Sequence, residues 1–536
     1  MPRFRNQGAS MNAKLTLAIA VIYALGCGGR DEELEQRREW LAQPLALGDR
    51  LVLIERLNSR AFVLDVGEDP LPQQPIVADL PHDPSFAWNR NGSGEALVLC
   101  MGRRASIEQD AEPAALAVLA SDGKVRSYPL GTSPFDSLSQ SEDGRYAFLF
   151  KKDPGMRLLD NPNEIAIVDL ELAPDADGAI TLRTLRSFGD SPLSVVFSPQ
   201  MRIVGEDRRL AVVLSQTNVT LIDLDHLDRA ETTVQLSSPG GGAVSPAQVL
   251  FNPDAPEIYV RGAGSDDVFV FNLAERPPGD ERDESADPHN DFRPFIDQLG
   301  VGGRPSDMAL YSGGDDGARL LVLADGQRAA VVSAGTSEVT SVELPQSASR
   351  TLLFNGISPR DGELAERALL YSDGGDAVMF LDLEDLEARG NRNLEVLPIG
   401  RPITKLVPMP EEQRVLILHG SEGVSLLDLE GRTISPITSN AVLTDALFDA
   451  ARGQLWVAPQ NQRFVGLLDL ATGDTPEILL DAEVDKFVPM FDAGHVVVLH
   501  AGNIGYLTVL DADRPTREYA RSLRGFLVAD LLDRGE

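Results

Sequence analysis

The chain has 536 residues, 43% of them hydrophobic, which is enough to bury a large core. Its formal net charge is −34, and a surface of that sign repels phosphate backbones, so nucleic acid is not expected as a partner. Only two cysteines are present, Cys27 and Cys100. Cys100 ends an apolar run typical of a buried strand, so it is interpreted as a core residue and not as a nucleophile.

Residues 1–26 are predicted to be a lipoprotein signal peptide. Three basic residues precede the apolar run 15–25, which is too short to cross a bilayer and fits a secretory signal. The stretch Ala24-Leu-Gly-Cys27 resembles the lipobox of bacterial lipoproteins, which implies that Cys27 becomes lipidated. An ordinary signal peptide with an incidental cysteine is the alternative. Residues 27–46 would then be a tether to the cell envelope, with the outer membrane favoured because no aspartate follows Cys27, and with the periplasmic or surface side left open.

One apolar pattern recurs through residues 47–536. It ends in an Asp-Leu step, as in Val219–Leu224, Val424–Leu429 and Val465–Leu470, and it returns every 41 to 55 residues or so. Each copy is short, aliphatic and bounded by turn residues, as a buried strand is. A period of that length made only of strands is typical of propeller blades. The sequence therefore predicts an all-β fold, a β-propeller of about ten four-stranded antiparallel blades.

The two ends of this region predict how the ring closes. The first unit has no innermost strand ahead of Leu51–Ile54, whereas the last unit has an extra one at Gly525–Leu532. We therefore expect the C-terminal strand to complete the first blade by pairing beside Leu51–Ile54. A miscounted unit and two smaller rings are the alternatives.

Glu275–Asp291 interrupts the repeat with a polar, acidic and proline-containing stretch, so it is predicted to be a loop. The histidines show no paired metal-ligand spacing, and no nucleophile elbow or phosphate loop occurs. The sequence therefore gives little support to catalysis.

Several units open on a Gly-x-Pro or Gly-x-x-Pro step, at Gly131–Pro134, Gly189–Pro192, Gly303–Pro305 and Gly400–Pro402. Together with the Asp-Leu strands, these steps resemble the surface-layer-type YVTN repeat, a WD40-like family of bacterial propellers with lactonase-like and amine-dehydrogenase-like members. The resemblance implies that the Gly-x-Pro step lies at the start of the innermost strand. The second residue after each proline should then face the central tunnel.

On that basis the candidate tunnel-lining residues are Asp136, Ser194, Gln248, Asp307 and Thr404, with Asp445 and Asp485 at comparable positions by pattern. Arg304 and Arg401 are candidate rim residues beside them. One interpretation is a solvated tunnel wall, and another is an acidic funnel that holds a cation such as calcium. The two arginines suggest a third interpretation, in which the rim binds an anion. No cofactor is predicted, and calcium is kept as an alternative.

Two functional hypotheses remain. The first is a lipid-anchored, non-enzymatic binding or scaffold module that presents one ring face to an envelope protein or polysaccharide. The second is a metal-dependent hydrolase or dehydrogenase-like enzyme with its site at the tunnel. The propeller repeat specifies the fold far better than the activity, so the choice depends on the side chains at the tunnel.

Overall fold

The computed structural model describes residues 39–41, 43–103, 110–131, 135–152, 161–186, 190–238, 240–277, 290–313, 317–333, 338–357, 364–383, 394–409, 413–420, 423–437, 443–470, 476–500 and 505–527. The predicted signal peptide, Cys27 and most of the Glu275–Asp291 loop lie outside the described residues.

The first five blades follow one another along the chain, each a four-stranded antiparallel sheet. Blade 1 contains β1 (Leu45–Leu47), β2 (Arg50–Glu55), β3 (Arg60–Asp65) and β4 (Ile76–Asp79). Blade 2 contains β5 (Pro84–Asn89), β6 (Glu95–Cys100), β7 (Ala114–Ala120) and β8 (Val125–Gly131). Blade 3 contains β9 (Ser137–Gln140), β10 (Tyr146–Phe150), β11 (Glu164–Asp169) and β12 (Ile180–Thr184). Blade 4 contains β13 (Pro192–Phe197), an inserted hairpin of β14 (Met201–Ile203) and β15 (Glu206–Arg208), then β16 (Leu210–Ser215), β17 (Asn218–Asp223) and β18 (Thr232–Gln235). Blade 5 contains β19 (Ser245–Phe251), β20 (Glu257–Ala263), β21 (Asp267–Glu275) and β22 (Phe292–Gly300).

The second five blades repeat the same order of strands. Blade 6 contains β23 (Pro305–Ser312), β24 (Ala318–Ala324), β25 (Arg328–Ser333) and β26 (Val339–Glu343). Blade 7 contains β27 (Arg350–Ile357), β28 (Leu364–Tyr371), β29 (Ala377–Asp382) and β30 (Leu394–Pro398). Blade 8 contains β31 (Lys405–Met409), β32 (Arg414–Leu418), β33 (Val424–Asp428) and β34 (Thr433–Pro436). Blade 9 contains β35 (Leu443–Asp449), β36 (Gln454–Pro459), β37 (Phe464–Asp469) and β38 (Glu477–Leu479). Blade 10 contains β39 (Val484–Met490), β40 (His495–His500), β41 (Tyr506–Asp511) and β42 (Arg521–Arg524).

The predicted fold class and the predicted number of blades are confirmed. The helices within the described ranges are two 3-10 turns, Phe491–Ala493 and Arg517–Tyr519. No described helix has the length and apolar character needed to span a membrane. The two middle strands of a blade are apolar along most of their length because both of their faces pack on neighbouring blades.

The core is divided into ten hydrophobic clusters, and each cluster is formed by two successive blades. Nine clusters join blades that follow one another in the chain. The tenth joins blade 10 to blade 1 and contains Leu51, Phe62, Val497 and Phe526. Ten blades joined by ten seams form one closed ring, and the alternative of two smaller rings is wrong.

The predicted closing strand is wrong. Blade 1 has its own innermost strand, β1, which pairs with β2, while β3 occupies the other edge of β2. Further along β2, Leu41 donates a backbone hydrogen bond to Ile54, so both edges of β2 are occupied. The ring closes by side-chain packing, with Phe526 and Leu527 buried in the tenth seam. Residues 528–532 of the expected strand lie outside the described residues.

Candidate functional site at the tunnel mouth

One face of the ring carries the start of every innermost strand, and it also carries the turns between the second and third strands of each blade. We call this the mouth face, because the strands nearest the central tunnel begin there. The predicted tunnel and rim residues all lie on this face. The turns between the first and second strands, and between the third and fourth, lie on the opposite face.

The innermost strand begins with a β-bulge in nine blades, at which two successive residues oppose one residue of the second strand. In blades 2, 4, 5, 6, 9 and 10 the register shifts by one residue at this point. In blades 3, 7 and 8 the bulge is visible in a hydrogen bond. The residue before the first paired residue donates its backbone N–H to the carbonyl of the second-strand residue that opposes that paired residue. The pairs are Ser85 with Phe86, Asp136 with Ser137, Leu193 with Ser194, Ala247 with Gln248, Ser306 with Asp307, Ser349 with Arg350, Thr404 with Lys405, Thr444 with Asp445, and Asp485 with Lys486.

Three second members of these pairs bridge to the next blade. The Gln248 amide donates to the Met308 carbonyl at 2.8 Å and accepts from the Met308 N–H at 3.1 Å. Asp307 accepts the Thr351 N–H at 2.7 Å, and Asp445 accepts the Phe487 N–H at 2.8 Å. Each bond joins one innermost strand to the next, because alternate side chains of a blade project onto its two neighbours. These three residues are therefore blade connectors, and a further role in lining the tunnel stays a prediction.

The other predicted tunnel residues occupy different positions of the bulge. Ser194 is a half-buried second member, whereas Asp136, Thr404 and Asp485 are first members, one residue earlier in register. Asp136 accepts bonds from the Lys152 N–H at 2.7 Å and from the Ser137 hydroxyl at 2.9 Å. The Thr404 hydroxyl donates to the Leu418 carbonyl at 2.8 Å, and Asp485 is exposed. A bulge turns the side chain of its extra residue in a new direction, so the predicted residues do not form one uniform row.

Sequence reasoning missed the basic members of the row. The second members of blades 6 to 10 are Asp307, Arg350, Lys405, Asp445 and Lys486, so this part of the mouth carries three basic and two acidic residues. The rarity of lysine could have indicated these positions from sequence. The chain has only six lysines, and two of them, Lys405 and Lys486, are second members of a bulge. The row also contains Phe86, whose ring stacks on Trp88 with centroids 6.0 Å apart. The predicted acidic funnel includes Asp136 and Asp485, which are not in this row, and it stays a prediction.

The two predicted rim arginines differ in their surroundings. Arg304 is exposed, and its guanidinium lies 3.8 Å from the Asp266 carboxylate. Its backbone exchanges hydrogen bonds with Asp325, whose carboxylate accepts the Arg304 N–H at 3.1 Å. Arg401 is half-buried in the connection that leads into blade 8. Next to Arg304 lies a polar cleft of about 370 Å³, lined by Asp325, Gln327, Arg328, Glu343 and Leu344.

Two histidines at equivalent ends of second strands act as hydrogen-bonding links. His500 Nδ1 lies 3.0 Å from the Glu483 carbonyl and Nε2 lies 3.0 Å from the Thr508 hydroxyl. His419 makes the same two contacts, with the Pro402 carbonyl and the Ser425 hydroxyl, each at 2.9 Å. Burial lowers the pKa of His500, which favours the neutral imidazole. Within the described ranges, no three histidine, cysteine or acidic side chains are grouped as metal ligands.

The opposite face carries a buried ion-pair network at the seam between blades 4 and 5. Arg208, in the inserted hairpin, has a side chain only 1% exposed and donates to both Asp291 oxygens, at 2.5 and 2.6 Å. It also lies 3.3 Å from the fully buried Asp223 carboxylate. The hydrogen bonds from Arg208 lower the pKa of Asp291, and those bonds raise the pKa of Arg208. Asp291 ends the predicted acidic loop, so the network fixes the C-terminal end of that loop to blade 4.

The comparisons with known proteins identify no family for this chain. No protein-family model matches the chain, and no curated protein matches it. One similar solved structure is the dihydro-heme d1 dehydrogenase NirN in complex with DHE, at 12% identity and a TM-score of 0.41, covering 75% of this chain and 76% of that one. Another is Sqt1 of Saccharomyces cerevisiae, at 11% identity and a TM-score of 0.37, covering 71% of this chain and 93% of that one. The chain is a ten-bladed β-propeller, and likeness at this distance says nothing of its ligand or activity.

Proposed function

We propose that the chain is a non-enzymatic binding or scaffold module of the cell envelope, anchored by a lipid on Cys27, with an envelope protein or polysaccharide as its partner. The observation that supports this proposal is that three polar side chains at the mouth form hydrogen bonds between blades. Gln248, Asp307 and Asp445 are committed to backbone groups of adjacent blades, which supports a rigid ring. A rigid ring holds its surface loops in fixed positions, as a recognition surface requires.

Charge reversal at the rim tests the recognition part of the proposal. The double variant Arg304→Glu/Arg401→Glu should lose its specific partner in crosslinking with an envelope fraction and still melt as a folded ring. Arg202→Glu is the matched control, because Arg202 is an exposed arginine of the opposite face. Equal loss in both variants would indicate a nonspecific charge effect, and unchanged capture in both would exclude the rim as the recognition surface.

Substitution of Cys27 tests the anchor separately. In a bacterial host, Cys27→Ser should abolish acylation and move the protein from the membrane fraction to the soluble fraction, because a single cysteine carries the lipid. Intact membrane association of Cys27→Ser would contradict the anchor without affecting the recognition proposal.

Metal analysis tests the competing enzyme hypothesis. Calcium bound in a one-to-one ratio to purified protein, and lost in a folded Asp485→Asn variant, would favour an enzyme with a metal at the tunnel. Asp485 suits this test because it is exposed, so its carboxylate can be neutralised without removing a blade connector.

A further inference from the structure

The outermost strand of blade 5 differs from the outermost strands of the other nine blades. Strand β22 has nine residues, whereas the others have three to seven. Four successive residues of β22, 295–298, are exposed. Successive residues of a strand face opposite sides, so the middle of β22 is exposed on both faces, and none of the described strands pairs with its outer edge.

Two of these exposed residues are large and apolar. Phe295 is 42% exposed and Ile296 is 39% exposed, one on each face of the sheet. Pro294 interrupts the edge near its start, and neither proline nor lysine follows it through Gly300. Short strands, prolines and charged residues, lysine above all, are the usual features that prevent edge pairing, and the part of β22 after Pro294 has Asp297 as its single charged residue.

The chemistry of this edge specifies what pairs with it. All nine residues of β22 pair with β21 on one side, and in an antiparallel sheet alternate residues direct their N–H and C=O groups to the free side. Only an extended backbone satisfies such a row of donors and acceptors. Phe295 and Ile296 favour apolar side chains in that backbone. The Arg293 guanidinium lies over the Phe295 ring, 4.5 Å from its centroid, and balances the exposed Asp297 on the same strand. The net charge of −34 on the whole chain favours a basic segment over an acidic one.

We propose that β22 is a docking edge that adds an extended, basic segment of a partner protein, with apolar side chains beside Phe295 or Ile296. The segment forms a fifth strand on the outer wall of blade 5. This site lies away from the tunnel mouth and does not depend on the lipid anchor, so it goes beyond the function proposed above. A second copy of this chain is a poorer occupant, because two surfaces of such negative charge repel each other.

A synthetic peptide tests this proposal directly. The probe is an acetylated seven-residue peptide of alternating lysine and valine, labelled with fluorescein and titrated with the full chain while anisotropy is measured. Binding should be saturable, and a matched peptide with every backbone nitrogen methylated should bind at least tenfold more weakly, because it keeps the side chains and charges but loses the donors. Equal binding of the two peptides, or no saturable binding by the first at millimolar protein, would overturn the proposal.

A pair of protein variants locates the site. Ile296→Lys introduces a lysine, the residue that natural proteins use to prevent pairing at a sheet edge, and it should weaken peptide binding at least tenfold. Leu182→Lys adds the same charge to β12 at a leucine that is 50% exposed, and it should bind as the unchanged protein does. Equal weakening in both variants would assign binding to general electrostatics. A dimer of the unchanged protein in sedimentation that Ile296→Lys dissolves would assign the edge to a second copy, and either result overturns the proposal.

Discussion

Asp307 shows how a carboxylate at the tunnel mouth can hold two neighbouring blades together. It accepts the backbone N–H of Thr351 in the next blade at 2.7 Å, and both residues are half-buried. A buried donor that loses its acceptor keeps the full cost of its desolvation. The same logic applies to Asp445 and Phe487 at another seam.

We therefore expect Asp307→Ala to lower the free energy of unfolding by about 1–3 kcal/mol. The exposed Asp485→Ala should change it by no more than about 0.5 kcal/mol. Urea denaturation of the two variants provides the comparison. A neutral Asp307→Ala would mean that Asp307 is not a blade connector.

His500 makes stability depend on pH. Its pKa is lowered by burial below the ordinary value of 6.5, so the folded state binds a proton less readily than the unfolded state. The contribution to stability is complete above pH 6.5 and is lost as the pH falls through the lowered folded value, by about 1.4 kcal/mol for each unit of difference. Thermal melting of His500→Gln should therefore decline less steeply between pH 7 and pH 5 than that of the unchanged protein. Parallel curves across that range would contradict this assignment.

Among the elements, the inserted hairpin β14–β15 matters because it carries Arg208 into the seam between blades 4 and 5. Removing one member of a buried ion pair leaves the other charge uncompensated, at a cost of about 3–5 kcal/mol. We expect Arg208→Leu to cost about 3 kcal/mol, the lower end of that range, because the fully buried Asp223 keeps the His226 imidazole at 3.1 Å and the Arg229 guanidinium at 4.0 Å.

Arg202 provides the control within the same hairpin. It is exposed, so its pair with Asp207 contributes little and Arg202→Leu should be nearly neutral. Urea midpoints distinguish the two variants, and similar values for both would show that the Arg208 network does not stabilise the seam.

The sequence predicts strands better than it predicts their first residues. Long apolar runs such as β6 and β17 are evident because both faces of these strands are buried. The bulge adds one residue at the start of the innermost strand, and nothing in the Gly-x-Pro spacing marks which residue is extra. Hence Asp485 and Asp445 appear equivalent by pattern, whereas the structural equivalent of Asp445 is Lys486. A shift of one residue is enough to exchange an acid for a base at the mouth.

For the whole molecule, the seam between blades 10 and 1 is the contact that closes the ring. It contains Phe526, and the Arg521 guanidinium donates to the Val66 carbonyl at 2.8 Å across it. Phe526→Ala should cost about 3–5 kcal/mol, because it removes a buried ring from the seam. Phe295→Ala is the control, since Phe295 is exposed. Equal thermal melting of these variants would show that Phe526 contributes nothing to closure.

The period of the apolar runs was sufficient to predict ten blades, because each blade repeats the same burial pattern. The mode of closure was not predictable, because β1 is a three-residue strand with no pattern of its own. Leu45 and Leu47 are buried in the seam between blades 1 and 2, and their burial depends on those blades and not on a local sequence pattern.

Both ends of the ring leave through the same side. Trp40 bridges to Glu55 at the finish of β2, and β42 runs toward the turns that join second and third strands, so the chain arrives and departs at the mouth face. Any attachment ahead of Trp40 would hold the tunnel opening toward the bilayer. The Arg208 network lies on the opposite face and would then point away from the bilayer.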